Sequence, residues 1–138
     1  MNDKKIGRIM YEKALAFINC RYPVGWGGCA IMYTKEGEYL ISVYLESPNA
    51  SAELCMETGA MCEAQKLNLH VTHSLCIARN NENENPVILT ACGICQERLY
   101  YWGKDVRVAV TNINNEIIFK SLEELAPHYW GDAFKLKK

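Results

Sequence analysis

The chain has 138 residues, 49% of them apolar and 22% charged, with a net charge of −1. That length and composition suit one globular domain, residues 1–138, with a sizeable core. No lysine- or arginine-rich face stands out, which argues against nucleic acid as the partner, and no run approaches the roughly 18 apolar residues that mark a membrane span.

Residues 3–19 read as an amphipathic helix, since Ile6, Ile9, Met10, Ala14, Phe17 and Ile18 keep helical spacing with Lys13 the one interruption. Residues 21–28, glycine-rich and carrying Pro23, form a loop. Residues 29–33 and 38–45 read as strands joined by a turn at Gly37, hence a hairpin. A second loop spans 47–51. Residues 52–67 are predicted as a helix that carries Cys55 and Glu57, and 71–78 as a buried strand. The polar stretch 80–86 is a loop, and 86–91 crosses toward Cys92-Gly93-Ile94-Cys95, which opens a helix over 93–102. Strands are expected at 106–111 and 116–119. The link between them is too short for a parallel pair, which needs a crossover of about a dozen residues, so the two must be antiparallel. Ser121 and Glu124 carry a capping-box pattern for a short helix over 121–125. The order αββαβαββα predicts a mixed sheet with helices on its faces.

Three cysteines and one glutamate sit at the starts of two of these predicted helices. Cys92 and Cys95 place two thiolates on one side of a helix start, and Cys55 can supply a third. Three protein ligands with a fourth position open to water is the arrangement of a catalytic zinc. Cys62 is the rival. On an unbroken helix it would lie about 10.5 Å from Cys55 along the axis, too far for one ion with bonds of about 2.3 Å. Glu57 heads an i, i+3, i+4, i+7 stripe with Ala60, Met61 and Ala64. A carboxylate heading an apolar stripe is costly to bury without a partner, and a metal-activated water would be one. A first-turn glutamate favoured by the helix dipole is the plainer alternative.

The chain holds seven cysteines, and its charged start, Asp3-Lys4-Lys5, lacks the apolar stretch of a secretion signal. Free thiols in a reducing cytoplasm are the expectation, with Cys20, Cys29, Cys62 and Cys76 as packing thiols. The lysines of residues 135–138 read as a short solvated tail. His70 and His73 read as structural or surface residues, and no motif assigns His128.

Cys55-Met56-Glu57, followed at a distance by Ala91-Cys92-Gly93-Ile94-Cys95-Gln96-Glu97-Arg98, resembles the zinc nucleoside deaminases. Their pattern is Cys or His, then Ala-Glu, and later Pro-Cys-x-x-Cys. The resemblance runs from about residue 22 to about residue 134 and is nearest the short cytidine deaminase and blasticidin-S deaminase branch. It implies a three-layer α/β/α fold with a mixed five-stranded sheet whose last two strands are antiparallel, an ending that goes with free nucleosides rather than polynucleotides. It implies zinc held by Cys55, Cys92 and Cys95, with Glu57 moving the protons of a hydrolytic deamination.

The same resemblance places Tyr44 and Glu46 where cytidine deaminases carry a ribose-binding Asn-x-Glu. It sets Trp26 at an aromatic lining the base pocket and Met56 beside it. Trp130, within Glu124-Leu125-Ala126-Pro127-His128-Tyr129-Trp130-Gly131, takes the place of an aromatic that stacks on the base, often of a neighbouring subunit. Three departures stand out. Tyr44 replaces the asparagine and leaves room for another sugar or a modified base. Thr58 and Gln96 replace two arginines, for which Arg98 is the candidate compensation. Ala91 replaces the proline.

The expected substrate is cytidine or deoxycytidine, in pyrimidine salvage, with blasticidin S or another modified aminopyrimidine as the alternative. A catalytically inactive protein with a structural zinc and a redox protein using Cys92 and Cys95 are the readings from other classes. A homotetramer, or a homodimer, is the assembly the resemblance implies.

Overall fold

A computed structural model describes residues 1–135, so the expected tail lies largely outside the described residues. Asp3–Arg21 forms α1, Gly27–Thr34 β1, Tyr39–Ser42 β2, Thr58–Lys66 α2, Val71–Arg79 β3, Val87–Ile88 β4, Gly93–Leu99 α3, Arg107–Ala109 β5, Phe119–Ser121 β6, Leu122–Leu125 α4 and Asp132–Lys135 α5. Single 3-10 turns lie at Ala50–Ala52 and Tyr100–Trp102.

The main path of the sheet runs β2-β1-β3-β5-β6, with β4 paired to the far end of β3. β3 and β5 are parallel, and every other pairing is antiparallel, including β5 with β6. The predicted mixed sheet with an antiparallel ending is therefore present, enlarged by the two-residue β4.

Alternation along the strands splits the core into two layers. Cys29 and Ile31 of β1, with Leu75 and Ile77 of β3, face Ile6, Met10, Ala14 and Ile18 of α1. Met32 of β1 and Val108 of β5 face Ala60, Met61 and Ala64 of α2 and Cys95 and Leu99 of α3. Each large apolar side chain buried this way contributes roughly 1.5–3 kcal/mol. A register shift after Tyr33 flips Val71 into the second layer, as an irregularity of one residue must. α1 is closed by Asn2, whose side chain accepts from the Lys5 N–H, with Asp3 in its first turn and Arg21 in its last, both favourable to the helix dipole. No helix among the described residues is long and apolar enough to cross a membrane.

Three expectations need correction. The helix predicted from residue 52 starts at Thr58. Leu54 exchanges backbone hydrogen bonds with Leu45 at 3.1 and 3.2 Å, so the chain reaches Cys55 extended and then turns. The strand predicted over 116–119 lies at Phe119–Ser121. Here Asn112 takes the Glu116 N–H and donates to the Val110 and Glu116 carbonyls, and Asn115 adopts φ 51°, so the link is a side-chain-stapled turn. Cys20 and Cys62 are exposed rather than packed. By contrast, the Ser121–Glu124 capping box forms as read.

Candidate active site

Two elements deliver the three cysteines to one place. Cys55 follows the Leu45–Leu54 bridge. Cys92 is the extended N-cap of α3, and Cys95 is buried in that helix's first turn. Their sulfurs all lie within 4.8 Å of one another, and Cys55 Sγ to Cys92 Sγ is 3.5 Å. Tetrahedral zinc with sulfur bonds of about 2.3 Å needs sulfurs about 3.8 Å apart, so the donor set fits that ion with little movement. Cys62 lines a separate cavity with Thr58, Arg98 and Trp102. It is not part of the cluster, and because Cys55 precedes α2 rather than lying on it, the axial rise along a shared helix is not what separates the two.

Electrostatics divides the thiols. Burial works to raise Cys92, but the backbone N–H groups of Cys95 and Ile94 and the neighbouring thiols outweigh it, and its pKa falls. Donors at a helix start favour a thiolate in this way. Burial raises Cys55. Burial, then the Glu57 carboxylate, raises Cys95 strongly. Several acidic groups gathered around one point is a donor set that a divalent cation suits.

Glu57 is 4% exposed. It stands at the N-cap position of α2 but makes no side-chain cap bond, so helix capping does not account for its burial. Its carboxylate instead adds to the rise that burial gives the thiols of Cys95 and Cys76. Ala60, Met61 and Ala64 are buried below it, so the predicted stripe exists. Ser42 Oγ donates to the Met56 carbonyl, fixing the turn between Cys55 and Glu57.

A cavity of about 560 Å³ opens over Cys55, Glu57 and Cys92. Trp26, Tyr44 and Met56 line it. So do five residues that sequence reasoning did not assign to the site, Leu54 among them through its bridge to Leu45. Cys76 follows from the strand period, since Leu75 and Ile77 face α1 and their neighbour must face the cavity. Leu89 and Thr90 are set by backbone bonds, the Leu89 N–H to the Cys76 carbonyl and the Thr90 N–H to Thr111 Oγ1. Glu53 carried no sequence signal. It accepts a hydrogen bond from the Tyr44 hydroxyl, and that bond, more than burial, pushes Tyr44 up to about 12.

Glu46 is not brought into this cavity. It lines an adjoining one with Arg21, Trp26 and Tyr44. Nor does Trp130 line the cavity. It is 62% exposed and donates through Nε1 to Glu97 at 2.6 Å. Arg98 donates to Thr58 Oγ1 at 2.9 Å, and Gln96 Nε2 donates to the Ala91 carbonyl at 2.8 Å. Arg98 thus ties α3 to the start of α2. His73 is buried between Asp3 and Thr72, remote from the sulfurs.

The arrangement is a metal-fitting thiol cluster and a buried carboxylate at the floor of one cleft. The chain is similar over its length to a solved cytidine deaminase from Bacillus anthracis, with 46% identity, coverage of 96% of this chain and 94% of that one, and a TM-score of 0.93. Cytidine deaminases from Burkholderia pseudomallei (17% identity, covering 94% of this chain and all of that one, TM-score 0.69) and Mycobacterium tuberculosis (17% identity, covering 95% and 99%, TM-score 0.66) share the fold. No protein-family model matches the chain, and neither does any curated protein sequence.

Proposed function

Because the chain belongs to the cytidine deaminase family, we propose that it hydrolyses the exocyclic amine of a free cytidine-like nucleoside, cytidine or deoxycytidine, and releases ammonia. The observation that carries the reading is Glu57, buried beside Cys55, Cys92 and Cys95 at the floor of an open cavity. Cys55, Cys92 and Cys95 would hold zinc. Zinc bound there supplies a Lewis acid that brings the pKa of water toward neutrality.

The remaining work falls to this chain's side chains. Glu57 takes a proton from the attacking water, hands it to the ring nitrogen, and returns a second proton to the departing amine, which is general base then general acid catalysis. In balance, a C–O bond forms at the carbon that bears the amine, the C–N bond breaks, and ammonia leaves. Trp26 and Met56 offer the base an aromatic and a thioether wall. Tyr44, with Glu53 behind it, and Glu46 in the adjoining cleft bind the sugar end. Trp130 acts on the site of a neighbouring subunit in a homotetramer or homodimer. Free thiols suit a cytoplasmic setting. One observation favours the second reading, a modified aminopyrimidine such as blasticidin S: Tyr44 spends its hydroxyl on Glu53, so the sugar end differs from one built around an asparagine. A purely structural zinc needs a closed fourth position, and the cavity beside the sulfurs argues for an open one.

The test is ammonia release by zinc-loaded protein from cytidine, deoxycytidine, blasticidin S and adenosine. Turnover of cytidine or deoxycytidine that vanishes in Glu57→Gln is the expected result. Turnover of adenosine alone, or of nothing, sinks the proposal.

A further inference from the structure

Arg79 ends β3 with its side chain buried. Among the described residues no carboxylate lies within ion-pair distance of it. Nη1 donates to Asn19 Oδ1 at 2.5 Å and Nη2 to the Tyr22 carbonyl at 2.6 Å, while Nε is buried without a partner. An unpaired buried cation is costly. What offsets the cost here is position: Asn19 lies in the last turn of α1 and Tyr22 is its C-cap, the negative end of a 19-residue helix.

The end of α1 does not need this arginine in order to close, because the Tyr22 N–H already bonds to the Ile18 carbonyl at 2.8 Å. Arg79 fixes something else, the direction in which the chain leaves Tyr22. Four residues later comes Trp26, which walls the cavity and packs edge-on against Tyr22, with ring centroids 5.5 Å apart. The segment between them has no regular structure, and Val24 within it is exposed. It is held from both sides. Gly27 pairs with Arg79 in the sheet, and a Cβ there would stand 2.8 Å from Ile18 Cγ2 and 3.0 Å from Tyr22 Cβ, so the chain lies hard against α1. Midway, the Gly25 N–H, on a residue at φ 81°, donates to Glu82 at 3.0 Å. Arg79 and Glu82 are three residues apart, at the end of β3 and in the loop that follows.

We propose that Arg79, with Glu82, is the positioning residue of this site: it holds the Tyr22–Trp26 segment so that the Trp26 ring stays over the cavity. Its kinetic consequence rests on the deaminase reading. Arg79 itself touches no substrate. Its loss weakens ground state and transition state binding alike and appears in KM.

The experiment uses full-length zinc-loaded protein with Arg79→Met, Arg79→Lys and Glu82→Ala. Two quantities are read: steady-state deamination of cytidine, and acrylamide quenching of Trp26, taken as the difference from a Trp26→Phe partner in each background. Arg79→Met is expected to raise KM about tenfold and leave kcat within about twofold. Arg79→Lys, which keeps the positive charge at the end of α1, recovers most of that loss, and Glu82→Ala raises KM about threefold. Quenching of Trp26 rises in step with KM. A folded Arg79→Met protein with unchanged KM and unchanged quenching overturns the proposal. Should Arg79→Met fail to fold, Glu82→Ala, altered only at an exposed side chain, carries the same prediction, and unchanged KM and quenching there overturn it. Wild-type protein inert toward both cytidine and deoxycytidine counts against the proposed function alone. The quenching of Trp26 then decides the positioning role, and no change in either variant overturns it.

Discussion

Cys55 Sγ lies 3.5 Å from Cys92 Sγ, although the residues are 37 apart in sequence and held by different elements. One is placed by a strand bridge and the other by a helix cap, so neither half of the site exists without the folded sheet between them. Metal affinity and fold stability are therefore coupled. Cys55→Ala is expected to lower zinc content from about one per chain to below about 0.2, and chelation of the wild-type protein to lower its melting temperature by several degrees. Cys62→Ala keeps its zinc. Elemental analysis of the three proteins checks this; equal zinc in Cys55→Ala and wild type would remove Cys55 from the ligand set.

Glu57 has no capping bond to lose, so Glu57→Gln costs little stability. A proton carrier contributes about 10²–10⁴-fold to rate. The variant should bind zinc as wild type does and lose at least about 10²-fold in kcat. Retention of full activity with normal zinc would take the proton-transfer role away from Glu57.

The sheet, its antiparallel ending and the capped helix at Ser121 were legible because each rests on local rules: strand period, link length, capping pattern. The gathering of Cys55, Cys92 and Cys95 near a buried Glu57 is legible in the sequence because such residue types are scarce and their spacing specific. No helix starts at residue 52, since Leu54 is committed to Leu45 by a long-range bridge, which no local pattern announces. β4 is two residues long and exists only through its pairing with Ile77 and Ala78. Glu53 and Thr90 reach the cavity through tertiary placement, and Arg79 is indistinguishable in sequence from any strand-end arginine.

Tyr44 offers a test of the sugar end. Its bond to Glu53 is exposed, and exposed charged contacts contribute little to stability, so Tyr44→Phe should leave the denaturation midpoint nearly unchanged. Freeing the Glu53 carboxylate to accept from a sugar hydroxyl should change KM by about threefold or more while kcat holds. Denaturant melts and initial rates check the two parts. A KM identical to wild type would show that Tyr44 and Glu53 stand clear of the substrate.

His73 gives the fold a pH signature remote from the metal site. Its pKa is lowered, by burial first, with the Asp3 hydrogen bond opposing and Arg107 adding to the fall. Asp3 of α1 and Arg107 of β5 face the ring as charges and form their own pair at 3.2 Å; Thr72, Tyr33 and Phe119 complete the surroundings. The imidazole is thus neutral in the folded state at a pH where the unfolded chain, with a value of about 6.5, binds a proton. A depressed value means that the contribution is complete above about pH 6.5 and is lost as pH falls toward the folded value, at no more than about 1.4 kcal/mol per pH unit. Glu36, Glu82 and Glu124, lowered chiefly by backbone N–H bonds at His70, Gly25 and Ser121, lose theirs only as pH drops through the carboxylate range, so the two windows separate. Melting temperature should fall by a few degrees between about pH 7.5 and 5.5 in wild type. In His73→Phe, which cannot take the proton but fills the same space against Phe119, the curve should be flatter over that interval, at the cost of a lower value at neutral pH from the lost Asp3 and Thr72 bonds. Equal slopes in the two proteins would place the acid sensitivity elsewhere.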